Sequence, residues 1–170
     1  MNKGDSDHPP PPMEGMIAPD FKLPSSDGEE VHLIELIGTC IVLVFFPQTF
    51  EFFSTMEMRA FVTKHIALEA LGAKIIGISV EPVQALRTFD IQEEIPFPLL
   101  SDFEREVCKK YGVFVENMDG FRHVSLPAVF VINKKQRITY RWVGEKPDEF
   151  PDLDVVMGVI KGFKQGEDNC

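Results

Sequence analysis

The sequence predicts an α/β fold, with helices flanking a central sheet, on three observations. Ile41–Phe46 is an unbroken apolar run, too short for an ordinary helix and rich in β-branched and aromatic residues, as a strand buried on both faces would be. Pro47 cannot donate to a ladder and stops that strand, while Ser54 or Thr55 can cap a following helix whose inward stripe runs Met58, Phe61, His65 and Leu68. Gly72 then ends the helix, and Lys74–Val80 reads as the next buried strand, completing a strand–helix–strand unit. In open α/β sheets ligands gather at the carboxyl ends of strands, where the next helix offers unpaired N–H groups and the positive end of its dipole. The loop after Phe46 is therefore the first place to look for function.

The remaining elements follow in order. Met1–Pro12 is polar and then runs into four prolines, a composition that favours polyproline II over a core; residues 1–13 read as a disordered tail, either passive or a docking peptide. Residues 14–165 form a single domain and 166–170 a flexible tail. Asp27 and Gly28 turn the chain into a short strand over Glu30–Leu33, giving a two-stranded ribbon. Past Glu81, Pro82 suits a first helical turn, and Val83 to Ile91 reads as that helix. Ile95–Leu100 is extended and broken by prolines, and Asp102–Tyr111 is a further helix ended by Gly112. Ala128–Ile132 and Ile138–Val143 are strands joined by a polar turn over 133–136. A last helix begins near Asp152 and places Val155, Val156, Val159, Ile160 and Phe163 on one face.

Length and charge exclude several functions. At 170 residues with 44% hydrophobic content, the chain suits one domain with one sizeable core. A net charge of −10 argues against nucleic acid and anionic membranes, both of which demand a basic surface. No apolar run approaches the ~20 residues of a membrane span, and the proline-rich start lacks a signal-peptide core. The expectation is a soluble cytoplasmic protein without a cofactor or a metal site.

Ile17–Phe21, Leu23 with Pro24, Asp27 with Gly28, Leu36–Gly38, Gly77–Val80, Pro96–Asp102, Tyr111–Val113, Pro127–Ile132 and Tyr140–Gly144 fall in order at separations that resemble the peroxiredoxins. The branch is the one that includes the bacterioferritin comigratory proteins. The resemblance spans Met16 to Phe163. It implies a thioredoxin-like fold with peroxiredoxin-type insertions and a central mixed sheet, and it implies antioxidant thiol-peroxidase ancestry. Thioredoxin-fold proteins commonly carry a cis-proline where Pro127 stands, and an X–Pro bond can adopt cis.

The motif itself departs from the family. A peroxiredoxin has Pro, three residues, Thr or Ser, two residues and the peroxidatic Cys; here Pro47 is followed by Glu51 and Ser54. Where the resemblance expects an Arg that steadies thiolate and peroxide, this chain has Pro127. Pro47, Glu51, Ser54 and Pro127 are thus vestigial positions of the site, and only the proline survives. A helix N-terminus and a cation can lower a cysteine pKa from about 8.5 toward neutrality. A serine hydroxyl does not ionise there and cannot form a sulfenic acid. Glu51 would oppose any thiolate beside it, and its carboxylate, or an exogenous anion, is expected to occupy the vacated helix end.

Among other candidates, Cys40 and Cys108 read as small core hydrophobes and Cys170 as an exposed terminal thiol. The odd count speaks against a disulfide framework. Ser54 with His65 and Glu57 does not make a triad, since eleven helical residues separate Ser54 from His65 by roughly 16 Å. His65 reads as a packed core residue, and His32 and His123 lack ligand spacing. Phe50, Phe52 and Phe53 crowd the same loop; they form either an interface or a plug folded back into the old pocket. As an interface they imply a homodimer or a redox-protein partner.

Two functions remain. One is a peroxiredoxin-like domain that has lost peroxidase chemistry and binds or regulates. The other is an antioxidant oxidoreductase that reduces peroxides with electrons from thioredoxin or another dithiol, through an atypical thiol among Cys40, Cys108 and Cys170.

Overall fold

A computed structural model describes residues 8–162 and Cys170. The central sheet has five strands in the order β5-β4-β3-β8-β9, with β3 at Cys40–Phe45, β4 at Ala73–Ser79, β5 at Leu99–Ser101, β8 at Ala128–Ile132 and β9 at Ile138–Val143. Strand β3 lies in the middle, parallel to β4 and antiparallel to β8, so the sheet is mixed. Side chains alternate across a strand, and β3 feeds both layers of core. Ile41, Leu43 and Phe45 meet Phe21, Tyr111 and Phe130 on one face. Cys40, Val42, Val44 and Phe46 meet Met58, Phe61, Val156 and Ile160 on the other. This two-sided burial is why the run is uninterrupted in the sequence.

Helix α1 spans Phe52–Ala70, α2 Val83–Glu93, α3 Glu106–Lys110 and α4 Leu153–Gly162. Gly72, at φ 84°, takes the left-handed position after α1 and its N–H bonds the Glu69 carbonyl, which stops the helix where the sequence places the stop. Two short antiparallel pairs sit outside the main sheet: β1 (Lys22–Pro24) with β2 (Glu30–His32), and β6 (Phe114–Met118) with β7 (Phe121–Ser125).

Several expectations need correction. The helix expected over Asp102–Tyr111 shrinks to Glu106–Lys110, because the Asp102 carboxylate accepts from the N–H groups of Val107 and Cys108 and so fixes a loop before it. The extended segment after Ile95 contributes only Leu99–Ser101 to the sheet. His65 is half-buried instead of central, beside Phe97 and paired with Glu69 at 3.3 Å. The Leu126–Pro127 peptide, for which the sequence leaves cis and trans open, is trans.

The tail expected to be disordered is packed from His8 onward; Met1–Asp7 lie outside the described residues. The His8 ring stands edge-on to Phe114 at 5.2 Å, and Pro12 is buried. Arg141 Nη1 donates to the Pro11 carbonyl at 2.6 Å. A Cβ on Gly112 would collide with the backbone of Pro9, Pro10 and Pro11, so only glycine admits this strap. At the other terminus 163–169, Phe163 among them, lie outside the described residues, but Cys170 is held in a disulfide with Cys40.

Candidate functional site

The loop after β3 carries the chain from the buried Phe46 and Pro47 into α1. Phe50 adopts φ 58°, an unusual conformation for a bulky residue, and the turn it makes brings Glu51 to the N-cap. There Glu51 Oε1 accepts from the N–H of Phe53 and Oε2 from that of Ser54, both at 2.9 Å. Its carbonyl accepts from the Thr55 N–H and hydroxyl. The carboxylate thus takes the helix end that the sequence assigns to it, satisfying orphan donors and meeting the positive end of the dipole.

Behind this cap lie Ser54, 2% exposed, and Glu57, 3% exposed. Ser54 Oγ and Glu57 Oε1 have no hydrogen-bond partner among the described residues. Burial pushes the Glu57 carboxyl well above its usual range, and the Glu51 carboxylate pushes it further. Pairing of Phe45 with Ala128 puts Pro127 beside Phe46 at the same end of the sheet. Pro127 is buried, and its carbonyl accepts from Gly144 at 2.8 Å. The structure therefore brings Pro47, Glu51, Ser54 and Pro127 to one end of the sheet. It leaves His65, His32 and His123 elsewhere: His32 binds Asp20 at 2.8 Å, and His123 lies 6.2 Å from Phe114.

The aromatic loop is mostly outward. Phe50 is 49% and Phe52 66% exposed; Phe50 touches Phe89 edge-on, and Phe53 meets Phe52 edge-on and Phe150 at a tilt. Phe50, Phe52 and Met56 border a groove of about 360 Å³ closed by Arg59 and Glu93, which pair at 2.6 Å.

The thiols sort differently from the sequence reading. Cys108 is free and buried; burial, then the Asp102 carboxylate, push its pKa far up, so it cannot supply thiolate. Cys40 and Cys170, 130 residues apart, form a disulfide with Cα atoms 4.5 Å apart. Cys40 is therefore not merely a core hydrophobe, and Cys170 is buried, not exposed. Spacing carries no signal for such a contact, which exists only once the C-terminal end returns to the start of β3. Among the described residues no cluster of His, Cys, Asp and Glu could hold a metal ion.

A thioredoxin-like domain with a central mixed sheet is the class that this arrangement defines. The AhpC/TSA family model matches residues 15–141, and the chain belongs to that family, the peroxiredoxins. It is 31% identical to Peroxiredoxin Bcp of Escherichia coli (strain K12) over 153 residues, 86% of this chain and 94% of that protein. It is 31% identical to Peroxiredoxin 2 of Thermoplasma acidophilum over 157 residues, 88% of this chain and 75% of that one. The solved structure of peroxidoxin BcpB from Mycobacterium tuberculosis superposes with a TM-score of 0.79 at 24% identity, covering 89% of this chain and 98% of that one. A peroxiredoxin-like protein from Aquifex aeolicus gives 0.81 at 22%, covering 91% and 89%. These two similarities show the fold. Among the described residues no helix is long and apolar enough to cross a membrane.

Proposed function

We propose that the protein is an antioxidant oxidoreductase that reduces peroxides with electrons from thioredoxin or another dithiol, using Cys40 and Cys170 instead of a thiol at position 54. The observation that carries this reading is the Cys40–Cys170 bond, because closing a disulfide releases the two electrons that a peroxide takes up. Family membership supports it, and it moves the balance away from a domain that has lost its chemistry. A cytoplasmic location is part of the proposal, and there disulfides are rare unless they are transient, as a catalytic bond would be. The test is peroxide consumption by the full chain with a dithiol reductant. Turnover above background that disappears in the Cys40→Ser/Cys170→Ser double variant is the expected result; equal consumption by wild type and by that variant removes the reading.

The alternative, a peroxiredoxin-like binding or regulatory domain without turnover, is favoured by one specific observation: the helix end beside Ser54 is already filled by the Glu51 carboxylate. The partner surface we propose, under either reading, is the exposed Phe50 and Phe52 with Phe53 behind them. Burying an exposed Phe contributes about 1.5–3 kcal/mol, enough to favour a homodimer or a complex with a redox protein. Sedimentation should show the wild type associating and the Phe52→Ser/Phe53→Ser variant monomeric. Equal behaviour of the two would assign the rings to the domain's own packing.

A further inference from the structure

We propose that the face built from Gly112, Phe114 and Arg141 is a binding site for a proline-rich segment of a partner protein in the polyproline II conformation, and that the chain's own Pro9–Pro12 is its displaceable resident. The sequence prepares that resident. A proline fixes its own φ and drives the residue before it into the extended region, so Pro9, Pro10 and Pro11, each followed by a proline, favour polyproline II. That conformation makes no internal hydrogen bonds and leaves its carbonyls free to accept. The domain reads these features one by one. Arg141 Nη1 donates to the carbonyls of Pro11 at 2.6 Å and Pro12 at 3.5 Å, which sets the register of the run through its backbone. Gly112 lets the backbone of Pro9, Pro10 and Pro11 lie where any Cβ would collide with it. Phe114 supplies the aromatic surface on which proline-rich ligands dock, with the His8 ring edge-on to it at 5.2 Å and the Lys109 ammonium 4.9 Å from its centre.

The way the strap is held makes it a ligand and not a strand. Among the described residues no backbone–backbone hydrogen bond joins 8–12 to the domain, and the first cross-link lies beyond them, from the Gly15 N–H to the Ile138 carbonyl. Pro9 and Pro10 stay exposed while Pro12 is buried, so the seat grips one side of the run. Each of these contacts is one that a separate chain can make, and none needs a covalent link to the domain. The link also decides between occupants. Only Met13 and Glu14 separate Pro12 from the Gly15 anchor, a reach of about 11 Å at most. The strap of a second copy therefore enters this seat only if the two anchors lie side by side, whereas a proline run in a different protein carries no such restriction.

A synthetic peptide with the sequence of residues 8–13, His-Pro-Pro-Pro-Pro-Met, is the probe, and full-length chains are the receptors. In the wild type, millimolar peptide should move the NMR signals of the His8 ring, which lies against Phe114, toward their positions in the free peptide. The same peptide with Gly for each Pro should leave them in place. A tethered competitor acts at an effective concentration on the order of millimolar, so a variant with Pro9, Pro10, Pro11 and Pro12 each changed to Gly, which loosens the strap, should bind the fluorescein-labelled probe at least about tenfold more tightly than the wild type. Adding Arg141→Ala to that variant should abolish the gain. Unmoved His8 signals overturn the proposal, because a seat that no second chain can enter is packing alone. A folded strap variant that does not bind the probe, or binding that Arg141→Ala leaves unchanged, overturns it as well. His8 signals that move with protein concentration alone overturn the choice of a partner protein and give the seat to a second copy.

Discussion

The two ends of the central strand make opposite use of their chemistry. At the carboxyl end, where an α/β sheet ordinarily places its active groups, a helix terminus is sealed by Glu51, and the groups behind it, Ser54 and Glu57, are buried and non-nucleophilic. At the amino end, where a sheet usually offers nothing but packing, Cys40 is tied to the chain terminus. A helix dipole activates a thiol only if one is present and no carboxylate has taken the amides. Under the proposed function the reacting bond therefore sits where the dipole does not help it, which predicts a slow thiol chemistry limited by access.

The largest effect that would sharpen this contrast is on stability. The Cys40–Cys170 bond closes a loop of 130 residues, for which chain entropy alone gives about 5 kcal/mol. Thermal unfolding in reducing against non-reducing buffer should show a drop in Tm, and Cys40→Ser should remove the difference between the two buffers. An unchanged Tm would mean that the bond constrains little.

Next comes Glu57. Its native carboxyl holds a proton that the unfolded chain releases near the ordinary value of 4.5, so the native state binds more protons above that pH and stability falls as pH rises toward the native pKa. The slope for one such group is about 1.4 kcal/mol per pH unit. Glu57→Gln should flatten it and stabilise the protein at pH 7, as denaturant titrations at several pH values would reveal; a parallel profile would contradict the buried acid.

Smaller is the cap. Glu51→Ala should cost about 1 kcal/mol by loss of the N-cap bonds, measured as a shift in denaturation midpoint with an unchanged slope. Smallest is Ser54→Cys, expected to leave peroxide turnover near that of the wild type, because Glu51 disfavours the thiolate and Pro127 supplies no cation. Stopped-flow kinetics that show a large gain in this single variant would mean that the carboxyl end of β3 remains competent.

Much of this is legible in the sequence for physical reasons. The run Ile41–Phe46 declares a strand with cores on both sides, and Pro47, Gly72 and the turn before Ile138 act through local backbone constraints that a sequence displays directly. Glu51 is legible because a cap and its amides lie within three residues. The β6–β7 hairpin goes unread, although its signal is present: Asp119 and Gly120, both at positive φ, form the two-residue turn such a pair favours. Its strands are short and polar at Glu116 and Asn117, which hides the alternation. The disulfide and the packed proline strap are illegible in principle, because each depends on contacts between distant parts of the chain.

The strap also fixes where the protein can be shortened. Composition suggests trimming everything before Glu14, but that cut would strip the cover from Gly112 and Phe114 and leave the Arg141 guanidinium without its Pro11 and Pro12 carbonyl acceptors. Prolines favour an extended backbone even when unfolded, so laying this segment down costs little entropy and its contacts translate almost directly into hold. A clone beginning at His8 keeps these contacts, whereas one beginning at Glu14 carries a raw seam along β9.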